Sequence, residues 1–291
     1  MRRVLTGLLG LALLTGCSAS GPGPVAQAPP TVGPYVALGD SYTSGPGIAP
    51  AGGGPAGCGR SAVNYPALVA KQLGVAEFTD VSCSSATTAD LTGAQKLSGG
   101  SSAPPQLDAL SAGTKLVTLG IGGNDVGFLD VLSRCAMAGL TGSGCRGSFR
   151  AADGTDQVTG RIATAGERLG AVLAETRRRA PAAAVYVVGY PALFPVDPAG
   201  CGKSLGRVAA TADVSYLTGK AEELNAELKR RAAAAGARYV DTAVAGHDMC
   251  AAADTRWIEP PFPAAGLTPV HPNAAGQRGM AAAVLAELGR K

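Results

Sequence analysis

Tyr35-Val-Ala-Leu-Gly-Asp-Ser-Tyr-Thr-Ser-Gly45 begins as a short apolar run and ends in Gly-Asp-Ser followed by small, flexible residues. The apolar part does not alternate with polar residues, which is the pattern of a strand buried on both faces of a parallel sheet. Its carboxyl end delivers Ser41 to the sheet edge, and open α/β sheets bind their ligands outside the carboxyl ends of the strands.

Working outward, similar runs recur at Tyr35–Leu38, Phe78–Val81, Leu116–Ile121, Ala184–Val188 and Arg238–Val240. Helical patterns lie between and after them, at Asn64–Leu73, Val158–Arg179, Asp213–Ala235 and Asn273–Leu288. In the second, Ile162, Leu169 and Leu173 fall at helical spacing. Strands alternating with helices predict a three-layer α/β fold with right-handed crossovers.

The amino terminus reads differently. Met-Arg-Arg precedes an apolar run from Val4 to Leu14, then Leu14-Thr-Gly-Cys17. A charged start, a short apolar core and small residues describe an export leader. The run is shorter than the roughly 20 residues a membrane-spanning helix needs. Leu-Thr-Gly-Cys resembles the bacterial lipobox, which implies a leader over residues 1–17 and lipidation of Cys17. Two or more acyl chains would hold the protein at a membrane surface, so we expect an exported, membrane-anchored protein facing the extracytoplasmic side. Residues 18–33 are rich in Ser, Gly, Pro and Ala and read as a flexible tether. Residues 34–291 then form a single domain, expected to be monomeric.

Apart from Cys17 the chain has six cysteines, Cys58, Cys83, Cys135, Cys145, Cys201 and Cys250. An even set in an exported chain favours disulfides, and the spacing alone leaves their pairing open. None forms a Cys-x-x-Cys pair, and no His and carboxylate residues share a ligand spacing, so neither a metal nor another cofactor is expected. Of the formal charge of +4, Arg2 and Arg3 supply two. The clusters Arg177-Arg178-Arg179 and Lys229-Arg230-Arg231 fall near helix ends, where cations complement the helix dipole. With few aromatic residues for base stacking, nucleic acid is not an expected partner.

A serine becomes a useful nucleophile when a base removes its proton, and histidine is suited to that at neutral pH. The chain has two histidines, His247 and His271. The tetrahedral intermediate of acyl transfer also needs hydrogen-bond donors. Asn124 follows the strand Leu116–Ile121 and a Gly-Gly turn, so it too lies at a strand's carboxyl end.

Gly39-Asp40-Ser41, Gly122-Gly123-Asn124-Asp125 and His271-Pro272-Asn273, in that order, resemble blocks I, III and V of the SGNH (GDSL) hydrolase superfamily. Thr79-Asp-Val-Ser-Cys83, Arg256-Trp-Ile-Glu-Pro260 and Pro269-Val-His-Pro-Asn273 are most similar to its secreted bacterial lipase/esterase branch. The resemblance implies a flavodoxin-like α/β/α sandwich with a five-stranded parallel sheet. The elbow of α/β-hydrolases, Gly-x-Ser-x-Gly, is absent around Ser41.

The resemblance makes Ser41 the nucleophile and His271 the base. It places the oxyanion among the Ser41 N–H, the Asn124 side chain and the N–H of Ser84, which stands where the family usually has glycine. Many members carry Asp three residues before the histidine, where this chain has Thr268. The related branch uses a main-chain carbonyl there, which implies a Ser–His dyad oriented by the Thr268 carbonyl; the competing expectation is a carboxylate such as Asp248 or Asp254. His247 is expected to be structural or pocket-lining, and Trp257 either lines the acyl pocket or anchors its loop. Asp40 and Asp125 are expected to bond backbone amides rather than to transfer protons. The branch also pairs its cysteines sequentially, which implies Cys58–Cys83, Cys135–Cys145 and Cys201–Cys250.

The expected activity is hydrolysis of carboxylic esters, with acylglycerols, phospholipids or O-acetylated glycans as substrate classes. An acyltransferase using the same site, or a non-catalytic lipoprotein that binds a ligand or partner, are the alternatives.

Overall fold

The computed structural model describes Met1 and residues 33–142, 144–201 and 211–290. The leader apart from Met1, including Cys17, and nearly all of the tether lie outside the described residues.

Five strands form one parallel sheet: β1 (Tyr35–Gly39), β2 (Phe78–Asp80), β3 (Leu116–Gly120), β4 (Ala184–Val188) and β5 (Arg238–Val240). Their spatial order is β2-β1-β3-β4-β5, and every neighbouring pair is parallel. That is the flavodoxin-like order, whose switch point lies between β1 and β3.

Successive side chains of a strand point to opposite faces, and here both faces are buried. Tyr35, Ala37, Leu116, Tyr186, Val188 and Val240 share one core with Tyr65, Val69, Met280 and Val284. These last four come from helices α2 (Tyr65–Leu73) and α7 (Ala274–Leu288), numbering helices along the chain. Val36, Leu38, Val117, Leu119, Val185 and Val187 face a second core with Leu169, Leu173, Leu224 and Leu228. Those leucines lie on α5 (Gln157–Arg179) and α6 (Thr211–Ala234). The result is a sheet between two helical layers.

Side-chain caps fix where several helices begin. Asn64 accepts the Ala67 N–H, Asp156 those of Val158 and Thr159, and Asn273 those of Ala275 and Gly276. Two helices at the site were not read from the sequence. Gly122 and Gly127, at φ 121° and 69°, bracket the single turn α3 (Gly123–Val126), and α4 (Phe128–Thr141) follows at once. The glycines mask a helical signal, because Phe128, Val131 and Cys135 bury one face of α4.

At the end of β1 the chain turns into the short helix α1 (Ser41–Ser44). Gly39 has φ 150°, and a Cβ there would lie 2.3 Å from Thr43 Oγ1 and 2.5 Å from the Gly120 carbonyl, so only glycine fits. The buried Gln106 amide clamps this residue, accepting the Gly39 N–H at 2.7 Å and donating to its carbonyl at 2.9 Å. Three disulfides, Cys58–Cys83, Cys135–Cys145 and Cys201–Cys250, tie down loops beyond the strands, in the sequential pairing that the resemblance implies.

Candidate active site

Ser41 opens α1, just beyond β1, and Asn124 lies in α3, just beyond β3. The two neighbouring strands therefore bring these residues to the switch point of the sheet. His271 arrives from the loop before α7. Ser41 Oγ and His271 Nε2 are 2.8 Å apart, and both residues are 7% exposed.

His271 Nδ1 lies 2.7 Å from the carbonyl of Pro269. A carbonyl only accepts, so Nδ1 carries the proton and Nε2 presents a lone pair to the Ser41 hydroxyl. The expectation of a Thr268 carbonyl is therefore corrected by one residue. Val270 has φ 59°, an unfavourable conformation for a β-branched side chain, and this turn directs the Pro269 carbonyl onto the ring. Thr268 instead donates its hydroxyl to the Pro46 carbonyl at 2.9 Å. Burial holds the His271 imidazole below its ordinary 6.5, opposed by the Pro269 hydrogen bond, so the ring is neutral at neutral pH, as a base requires.

Neither alternative carboxylate reaches this histidine. Asp248 accepts the Cys250 N–H at 2.9 Å, and Asp254 is exposed. Glu259 supports the histidine through the backbone: its N–H donates to the His271 carbonyl at 2.9 Å and its carbonyl accepts the Val270 N–H at 3.0 Å. His247 Nδ1 meets the Thr255 carbonyl at 2.6 Å, and its ring stacks on Trp257 at 4.4 Å. Trp257 packs against α7 so closely that a Cβ on Gly279 would lie 2.4 Å from its ring, which makes it the anchor of its loop.

Around the oxyanion position, the Ser41 N–H has no partner among the described residues. Asn124 Nδ2 donates to the Ala86 carbonyl at 2.8 Å, which orients the amide and uses one of its two protons. Ser84 does not match its expected part. Its N–H already donates to the Cys58 carbonyl at 3.0 Å, fixed by the adjoining Cys58–Cys83 disulfide. The residue in the left-handed region is Ser85, at φ 65°, exposed and with its N–H unpartnered among the described residues. The positive φ thus falls at Ser85, one position after the residue that the resemblance implies.

Asp125 accepts the Thr88 N–H at 2.9 Å and also its hydroxyl, so it holds the 83–88 loop. Asp40 caps α1 through the Tyr42 N–H at 2.9 Å. Burial pushes its carboxyl up to about 7, against hydrogen bonds from Tyr190 and Tyr42 that favour the ionised form. Gln277 joins α7 to the helix that Ser41 opens, accepting the Tyr65 N–H and donating to the Tyr42 carbonyl at 3.0 Å. Tyr190 and Gln277 belong to no motif, so sequence reading passed over both.

The cleft at Ser41, Asn124 and His271 is walled by Phe128, Leu132, Leu193 and Leu224. An apolar groove of about 560 Å³ that His271 also lines runs past Phe194, Leu217 and Phe262. Among the described residues, no three His, Cys, Asp or Glu side chains cluster as metal ligands. The arrangement joins a serine hydroxyl, a neutral imidazole and convergent donors beside apolar walls, which is the equipment for acyl transfer.

Comparison with known proteins agrees with this chemistry. The sequence model of the GDSL-like Lipase/Acylhydrolase family matches residues 37–278. Lipase 2 of Streptomyces coelicolor is 41% identical over 300 residues, covering 99% of this chain and 98% of that protein. The crystal structure of phospholipase A1 from Streptomyces albidoflavus superposes with a TM-score of 0.68 at 31% identity, covering 88% of this chain and 99% of the other. The extracellular lipase of Streptomyces rimosus gives 0.66 at 29% identity, with coverage of 87% and 98%.

Proposed function

We infer, from the premise that this chain belongs to the GDSL-like lipase/acylhydrolase family, that it hydrolyses carboxylic esters through an acyl-enzyme on Ser41. That it is an SGNH-type lipase or esterase follows from its relatives; the roles of its residues are our reading. Ser41 Oγ attacks the ester carbonyl while His271 Nε2 takes its proton. The Ser41 N–H, the free proton of Asn124 Nδ2 and the Ser85 N–H receive the developing oxyanion. The imidazolium then protonates the leaving alcohol. Water, deprotonated by the same ring, releases the acid and regenerates Ser41.

One observation carries the reading: Ser41 Oγ lies 2.8 Å from His271 Nε2 while a backbone carbonyl holds Nδ1. A carbonyl fixes the tautomer but stabilises the imidazolium less than a carboxylate would. The apolar walls suit an acyl chain, and the relatives named lipase and phospholipase A1 favour lipid esters. We further propose export, with lipid on Cys17 and the 18–33 tether holding a monomeric domain at the membrane surface.

The test is a p-nitrophenyl ester chain-length series on wild type and Ser41→Ala, with fluorophosphonate labelling. Turnover and labelling should both depend on Ser41. Substantial turnover by Ser41→Ala would overturn the assignment.

A further inference from the structure

Tyr190 lies two residues beyond β4, and its phenol sits between the two short helices that carry the reacting groups. Its hydroxyl donates to Asp40 Oδ2 at 2.5 Å and accepts the Gly123 N–H at 2.8 Å. Asp40 is the residue before Ser41, and Gly123 is the residue before Asn124. The other Asp40 oxygen accepts the Tyr42 N–H, capping the helix that Ser41 opens.

A buried tyrosine needs some partner for its hydroxyl, so the bonds alone are not enough. Three further contacts single this one out. Asn225 holds the Tyr190 backbone from both sides, accepting its N–H and donating to its carbonyl at 2.9 Å each. Gly123 leaves the room the phenol needs, since a Cβ there would lie 3.1 Å from Tyr190 Oη and 3.2 Å from Cζ. The ring also meets Tyr42 edge-on at 5.1 Å, and Tyr42 donates to the Val270 carbonyl beside His271. Burial and the neighbouring Asp40 keep the phenol protonated, so it remains a donor to that carboxylate.

We propose that Tyr190 is a positioning residue for oxyanion binding, its hydroxyl bridging Asp40 to Gly123 and so setting the separation between Ser41 and the Asn124 amide. The same hydroxyl occupies the Gly123 N–H, which leaves Asn124 to act through its side chain. This rests on the Ser41 and Asn124 reading above.

The experiment is a double-mutant cycle with Tyr190→Phe and Asn124→Ala, assayed on a short p-nitrophenyl ester. Displacing a positioned group by a fraction of an ångström to an ångström should lower kcat by about 10- to 100-fold and leave KM within about 3-fold. In the Asn124→Ala background the same change should lower kcat by less than about 3-fold, because the positioned amide is already gone. A Tyr190→Phe enzyme with wild-type kcat, or an equal loss in both backgrounds, overturns the proposal. Should Tyr190→Phe fail to fold, Asp40→Asn replaces it in the cycle, with the same coupling expected and full additivity overturning the bridge. Activity surviving in Ser41→Ala would instead sink the underlying reading, so the two failures are told apart.

Discussion

The Pro269 carbonyl orients the His271 ring from only two residues away, at 2.7 Å from Nδ1, across a Val270 held at φ 59°. His271 is thus oriented by its own loop rather than by a distant acid. The loop is fixed in turn by Glu259, whose backbone bonds both Val270 and His271. A strained residue persists when its surroundings over-determine it, and here the strain serves the imidazole.

The carboxylates named as competitors should be dispensable. Asp248→Asn and Asp254→Asn each should retain kcat within about 3-fold, since neither group touches the imidazole. Steady-state kinetics on the two variants checks this, and a loss of several hundredfold from either would restore an acidic triad.

Burial lowers the His271 pKa, and this has a readable consequence. Desolvation disfavours the imidazolium, so the ring keeps its neutral form to lower pH than a free imidazole does. An NMR titration of the His271 ring, assigned by its loss in His271→Ala, should give a midpoint under 6.5. A midpoint above that value would mean that an anionic partner stabilises the charged ring.

Asp40 should make stability fall with rising pH. Its carboxyl moves from 3.8 to about 7 on folding, so the folded state holds the proton more tightly than the unfolded chain. The stabilising contribution is complete below 3.8, declines as the pH rises, and is gone above about 7. At 1.36 kcal/mol per pKa unit the change is about 4 kcal/mol at most. Asparagine cannot titrate but can still cap α1. The Tm of Asp40→Asn relative to wild type should therefore rise between about pH 4.5 and about pH 8. A difference that stays constant over this range would show that Asp40 is not the group responsible.

Much of this arrangement was legible because it depends on local pattern. Tyr35–Gly39 and Leu116–Gly120 are unbroken apolar runs, and the residues just beyond them, Ser41 and Asn124, meet at the switch point because parallel strands end together. What escaped depends on backbone sign and on distant partners. The composition of Thr268-Pro-Val-His271 does not show that a valine takes positive φ, so the orienting carbonyl was placed one residue early. Ser84 and Ser85 are chemically identical, and it is φ, burial and hydrogen-bond partners such as the Cys58 carbonyl that separate them. Tyr190 meets Asp40 across 150 residues and Gly123 across 67, in a stretch with no motif around it.

The two serines give the sharpest test of the proposed oxyanion hole. At φ 65° Ser85 carries a left-handed strain of about 1–2 kcal/mol that glycine would not. Ser85→Gly should therefore keep its kcat and gain about 1 kcal/mol in stability, offset in part by the added freedom of the unfolded chain. Ser85→Pro removes the N–H and forces negative φ, so kcat should fall about 100-fold or more. Ser84→Ala retains its backbone bond to Cys58 and loses only a 3.2 Å hydroxyl contact with Ser44, so its kcat should stay near wild type. Measured side by side with Ser84→Pro, and with thermal unfolding, these three variants locate the donor. If Ser84→Pro proved damaging while Ser85→Pro did not, the hole would have to be built on Ser84 after all, with its N–H leaving Cys58 when substrate binds.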